Sequence, residues 1–163
     1  MTIGELNALD RLAFVGVAGG VFEHSPWVAE RAWRRRPFSN VGELHDVMVE
    51  EVAHATRAEQ IDLLRAHPDL GTRVRMSTAS SAEQAGAGLD RLSPETYERL
   101  MRLNAAYRAR FGFPFILAVK GATVDDVLSA LARRVDAAAE DEWTEALAQV
   151  ARIARGRLDG IVQ

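Results

Sequence analysis

The chain has 163 residues, 48% of them hydrophobic and 26% charged, which is globular composition and enough length for one domain with a hydrophobic core. Its formal net charge of -3 disfavours nucleic acid or an anionic membrane surface as its main partner. With no cysteine, disulfides, thiolate metal sites and cysteine nucleophiles are excluded, and no run is long and apolar enough to span a bilayer.

The first ten residues carry Glu5 and lack a basic segment, so a secretory signal is not expected. The closing Gly160-Ile161-Val162-Gln163 lacks a peroxisomal address, and a cytoplasmic location is the expectation. Ser25-Pro26 predicts an N-cap and first-turn proline for a helix over Trp27–Trp33, closed by the basic run Arg34-Arg35-Arg36 and ended by Pro37. Asn40 caps the next, where Val41, Leu44, Met48 and Val52 fall at helical spacing. Thr56 and Glu59 form a capping box that opens a helix carrying Ile61, Leu63 and Leu64 and stopping before Pro68. A long irregular stretch follows from His67 to about Ser81, and long loops inside compact domains are disproportionately functional. Ser93-Pro94 starts a helix that continues to Arg110, and Val124–Val135 and Ala138–Leu158 supply two more. Only Phe115–Val119 reads as extended, and no second strand is available to pair with it. The expected fold is therefore all-α, a single-domain bundle of about seven or eight helices over residues 1–163, with no repeat or linker to divide it.

His67 is the leading chemical candidate. Pro68 biases it out of helical geometry, so the imidazole leaves the helix end with a stiff backbone behind it. Histidine is the natural acid/base near neutral pH, although a histidine at a helix C-terminus also serves simply to bond orphan carbonyls. Of the others, His24 abuts a capping serine, and His45 and His54 are expected on the solvent-leaning side of one helix. No histidine or carboxylate cluster has ligand spacing, so no metal site is expected.

Ser80-Ser81-Ala82-Glu83-Gln84 contains a second capping box, Ser80 with Glu83, which accounts for both residues structurally. The same helix start offers free N–H groups and a positive dipole end to a polar ligand. On the last helix, Trp143, Leu147, Val150 and Ala154 define an apolar stripe that Arg157 continues. An arginine there needs an anionic partner, either an internal salt bridge or a substrate carboxylate. Phe111-Gly112-Phe113-Pro114-Phe115 cannot be helical through Pro114, so its backbone polar groups need other partners, in the core or on a substrate carrying amides.

Taken in order, these blocks resemble the OHCU decarboxylase family of uric acid catabolism. The resemblance is carried by Ser25–Ala32, Arg36-Pro37-Phe38, His67-Pro68-Asp69-Leu70-Gly71, Ser80–Gln84 with Ala87-Gly88-Leu89, Leu103–Tyr107, Phe111–Ile116 and Arg157-Leu158. The histidine and Phe-Gly-Phe-Pro-Phe blocks are the specific ones, and Gly156 departs from the larger side chain usual in the family. The resemblance implies decarboxylation of 2-oxo-4-hydroxy-4-carboxy-5-ureidoimidazoline (OHCU) to (S)-allantoin. It places the catalytic roles on His67, Glu83 and Arg157. Substrate binding falls on Pro68, on Ser80, Ser81, Ala82, Glu83 and Gln84, and on the backbone of Phe115, Ile116, Leu117, Ala118 and Val119. No cofactor is implied, because the conjugated ring is its own electron sink, and a homodimer is expected. The competing readings are a paralogue acting on another ureido or imidazoline acid, and a non-catalytic helical binding module.

Overall fold

The computed structural model describes residues 1–70 and 92–163, so the expected capping box at Ser80–Glu83 lies outside the described residues. Among the described residues every regular element is a helix: α1 (Ile3–Ala8), α2 (Arg11–Ala18), α3 (Trp27–Trp33), α4 (Val41–Ala53), α5 (Arg57–Ala66), α6 (Pro94–Phe111), α7 (Val124–Arg134) and α8 (Ala139–Ile161). The fold is all-α. None of these helices is long and apolar enough to cross a membrane. The chain forms two compact units, Met1–Ala66 with Val150–Gln163, and His67–Gln149.

In the first unit, side-chain oxygens start the helices. Thr2, Asp10 and Asn40 accept from the N3 backbone of α1, α2 and α4, and Thr56 and Glu59 cap α5 reciprocally at 3.1 Å. Ser25 does not cap α3 as expected. Its hydroxyl donates to the Glu23 carbonyl at 2.8 Å, leaving Pro26, already in helical conformation, to begin the turn. Helix α3 packs on α2 and α4. The core holds Leu6, Phe14, Val28, Leu44, Met48, Leu63 and Leu64, each worth about 1.5–3 kcal/mol of burial. The basic run beyond α3 is more than a dipole complement. Arg35 pairs with Glu50 at 2.7 Å and Glu51 at 3.3 Å on α4, while Arg36 stacks on Trp33 and donates to the carbonyls of Trp33, Asn7 and Leu9. Side chains thus satisfy carbonyls at Asn7 and Leu9, at the end of α1, that no regular structure pairs.

In the second unit, Ser93 accepts from Thr96 N–H and Pro94 occupies the first turn of α6, as the Ser-Pro pair predicts. Gly112 ends α6 at φ 78°, a left-handed position that favours glycine, and Pro114 prevents re-entry into helix. Gly121, at φ 80°, turns the chain into α7, which opens with a Thr123–Asp126 capping box. Helix α7 packs on α6. Tyr107 is the aromatic hub, with its ring 4.7, 5.9 and 5.3 Å from Phe111, Phe113 and Phe115, while Trp143 meets Phe113 edge-on at 5.8 Å.

Candidate active site

His67 stands one residue past the end of α5, and Pro68 explains why the helix stops there. Its side chain is buried, with the residue only 7% exposed, whereas Pro68 is exposed and Leu70 anchors the turn in the core. Asp69, the third residue of the motif, accepts a hydrogen bond from the Asn104 amide on buried α6 surface. The backbone leaving His67 is thus held by a rigid proline and by a carboxylate tied to a neighbouring helix. A buried histidine so fixed can move a proton without first reorganising.

The stretch Phe115–Val119 lies in the same unit as His67 and is neither helix nor strand. Two of its backbone groups are bonded by buried side chains. Arg134 of α7 donates from Nη1 to the Ile116 carbonyl at 2.7 Å, and Ala118 N–H donates to Gln149 Oε1 at 3.1 Å. Arg134 is 1% exposed and also donates from Nε and Nη2 to Glu142 Oε1, at 2.8 and 2.5 Å, while its guanidinium lies 4.5 Å over the Phe115 ring. Tyr107 donates its hydroxyl to the same carboxylate oxygen. Burial, with the Glu142 hydrogen bond and charge behind it, raises the Tyr107 pKa well above its ordinary 10.0. The phenol therefore stays a donor throughout the working pH range.

Arg157 of α8 belongs to the other unit. Its Nη2 donates to Glu23 at 2.8 Å, and Nη1 reaches the Val21 carbonyl at 3.3 Å. The internal salt bridge, one of the two readings open from sequence, is thus the one present, and it leaves the arginine 30% exposed. Glu23 sits in a turn closed by Ser25, in which His24 adopts φ 45°, a left-handed conformation costing a non-glycine residue about 1–2 kcal/mol. Gly156 lies inside an unbroken α8, and an added Cβ there would meet open space.

The structure therefore groups His67, Pro68 and Phe115–Val119 in one unit, assigns Arg157 to the other, and Ser80–Gln84 lies outside the described residues. His24 and His54 are exposed, but His45 is not solvent-leaning as expected: its Nε2 lies 2.7 Å from the Ala151 carbonyl. The stripe on α4 is broader than the four residues chosen to define it, and it draws His45 inward. Among the described residues, no group of three histidine or carboxylate side chains is placed to hold a metal. Sequence reasoning missed Arg134, Glu142, Gln149 and Glu23. A signal for the first was available: Val127, Leu131 and Arg134 share one face of α7 at helical spacing, so an arginine stood in an apolar stripe.

The sequence pattern described as OHCU decarboxylase matches residues 7–159. A 2-oxo-4-hydroxy-4-carboxy-5-ureidoimidazoline decarboxylase of Haloferax volcanii is 51% identical over 97% of this chain and 94% of its own length. A uric acid degradation bifunctional protein of Bacillus subtilis is 45% identical over 99% of this chain, which spans 33% of that protein. The crystal structure of (S)-allantoin synthase superposes with a TM-score of 0.85 at 33% identity, covering 99% of this chain and 54% of the other, so the chain spans about half of that structure.

Proposed function

The chain belongs to the OHCU decarboxylase family, and on that premise we propose that it decarboxylates 2-oxo-4-hydroxy-4-carboxy-5-ureidoimidazoline to (S)-allantoin in uric acid degradation. The observation that carries the proposal is the family match across residues 7–159, which includes both His67 and Arg157. We read residues 1–163 as one such domain, acting as a cytoplasmic homodimer on a small ureidoimidazoline.

The chemistry asks little of a cofactor. The bond from C4 to the carboxylate breaks and CO2 leaves; the released pair forms a C4–C5 double bond and moves the ring C=N π pair onto nitrogen, which takes a proton. The resulting enol loses its hydroxyl proton and gains one at C5, consuming one proton overall. The protein must hold the carboxylate out of the ring plane, stabilise the enolate-like intermediate and protonate a single face. In this reading His67 exchanges the C5 proton, Glu83 fixes the imidazole and the ureido N–H groups, and Arg157 holds the carboxylate or oxyanion. Pro68, Ser80–Gln84 and the Phe115–Val119 backbone bind the rest of the substrate.

The test is turnover of freshly generated substrate, with allantoin chirality followed by circular dichroism. His67→Asn is expected to fold and to lose about 10²–10⁴-fold in rate, the range of general acid–base catalysis, with racemic product. Full activity in that variant would remove His67 from the mechanism. A wild-type protein no faster than the spontaneous reaction would remove the activity itself.

A further inference from the structure

The buried charged groups of the second unit converge on one short piece of backbone. Arg134 and Glu142 are each 1% exposed, and isolating such a pair from water is costly unless its remaining donors and acceptors are used. They are used: Nε and Nη2 of Arg134 and the Tyr107 hydroxyl meet Glu142 Oε1, which leaves Arg134 Nη1 for the Ile116 carbonyl. Two residues on, Gln149, 2% exposed and oriented by its own bond to Glu145 at 2.8 Å, accepts from Ala118 N–H. Between these two clamps lies Leu117, half-buried, whose N–H and C=O make no hydrogen bond to a described residue. An adjacent donor and acceptor, held still from both sides, match the N–H and C=O of a lactam or ureido group.

We infer that Arg134 and Gln149 are positioning residues that hold the Ile116–Ala118 backbone so that the Leu117 peptide groups meet the substrate's amide edge, an inference that rests on the substrate-binding reading of Phe115–Val119 above. Glu142 and Tyr107 act through Arg134, fixing its guanidinium plane so that one N–H is aimed at the Ile116 carbonyl. Lysine at 134 keeps the charge opposite Glu142 but cannot reach both partners with a planar fork. Methionine at 149 keeps the volume and loses the acceptor.

The consequence is a split between binding and turnover. Removing a clamp weakens an interaction made alike by bound substrate and transition state, so KM rises while kcat stays. A merely structural role instead lowers the folded fraction, which lowers kcat and leaves KM alone. Ile116-Leu117 is the sole Ile-Leu pair in the sequence, so labelling isoleucine carbonyl carbon and leucine nitrogen isolates this one peptide resonance. (S)-Allantoin is the probe, titrated into the full chain, with turnover measured in parallel.

In the wild type, allantoin is expected to shift the Ile116–Leu117 resonance. In Gln149→Met and Arg134→Lys, both KM and the allantoin Kd should rise about 10-fold, with kcat within about 3-fold. The exchange Glu145→Gln with Gln149→Glu, which returns an acceptor to Ala118 N–H, should restore most of the affinity and keeps the test decisive should Arg134→Lys fail to fold. If the resonance shifts in the wild type but folded variants keep their KM and Kd, or the exchange binds no better than Gln149→Met, the positioning role is wrong. If the resonance does not move while turnover saturates normally, it is the substrate-binding reading that fails, and the inference falls with it.

Discussion

Tyr107→Phe removes one oxygen from a polar network in which Tyr107, Arg134 and Glu142 are all buried, and its cost follows from that geometry. Tyr107 is fully buried, and its hydroxyl donates to Glu142 Oε1, which retains two Arg134 donors after the change. The ring contacts with Phe111, Phe113 and Phe115 survive in phenylalanine. A hydrogen bond to a charged group contributes about 1.5–3 kcal/mol, and no orphaned group is left behind, so the lower end applies: about 1.5 kcal/mol. For a chain of this length that lowers Tm by roughly 3–6 °C. The pH dependence is the sharper test. Burial raises the folded-state pKa of Tyr107 above the 10.0 of an ordinary phenol, so its stabilisation is complete below about pH 10 and is lost as pH rises, because only the unfolded chain ionises there. At pH 11, one unit above that value, ionisation favours the unfolded wild type by about 1.4 kcal/mol relative to the phenylalanine variant. Urea denaturation of both proteins at pH 8 and pH 11 should therefore show a gap that nearly closes. An unchanged gap, or a Tyr107 phenol that titrates near pH 10 in the folded protein, would show that the hydroxyl is not held as a buried donor.

Gly156→Ala sits at an exposed position inside α8 with open space around the new methyl, so it should stabilise by about 0.5–1 kcal/mol and raise Tm without altering turnover. Arg31 and Thr56 hold the Glu59 carboxyl below its ordinary 4.5, the bonds from Arg31 being the larger cause. Stability from that group is therefore present above about pH 4.5 and lost as pH falls through the lower folded value, so the stability difference between wild type and Glu59→Gln should shrink on acidification below pH 4.5 in urea titrations. Arg157→Lys should cost less than about 1 kcal/mol of stability, since the pair with Glu23 is partly exposed, yet lower kcat/KM at least 10-fold because the planar fork is lost. A fully active lysine variant would take Arg157 out of substrate binding.

Several helix boundaries were legible in local punctuation, though the Thr2–Glu5 box and the Asp10 cap that start α1 and α2 went unread. Asn40, the Thr56–Glu59 box, Ser93-Pro94 and the stop before Pro68 each act through neighbours within four residues, and each does in the structure what its type dictates. Ser25 failed for the same reason that it looked good: a serine before Pro-Trp can cap, but its hydroxyl found the Glu23 carbonyl two residues back. What could not be read were partnerships at a distance. Glu23 with Arg157, Asn104 with Asp69 and Arg134 with Ile116 join positions 134, 35 and 18 residues apart, and nothing in residue type specifies which cation meets which acceptor.

The uneven legibility has a chemical counterpart. A substrate that stabilises its own carbanion needs from the protein a proton, a charge for its carboxylate and a fixed orientation. In the proposed mechanism the first two come from residue types that announce themselves, a histidine before proline and an arginine on an apolar stripe. The third is there assigned to main-chain groups, whose identity leaves no trace in the sequence of the stretch itself. It is visible only in what holds that stretch: a buried arginine, a buried carboxylate and a buried glutamine on helices that would otherwise be cheaper to pack with leucine. Replacing Arg134 and Glu142 together by apolar residues should accordingly cost less stability than either change alone, as for other buried pairs, while binding of allantoin stays weak. Wild-type affinity in such a folded double variant would show that the pair serves packing and not the orientation of the backbone between Ile116 and Ala118.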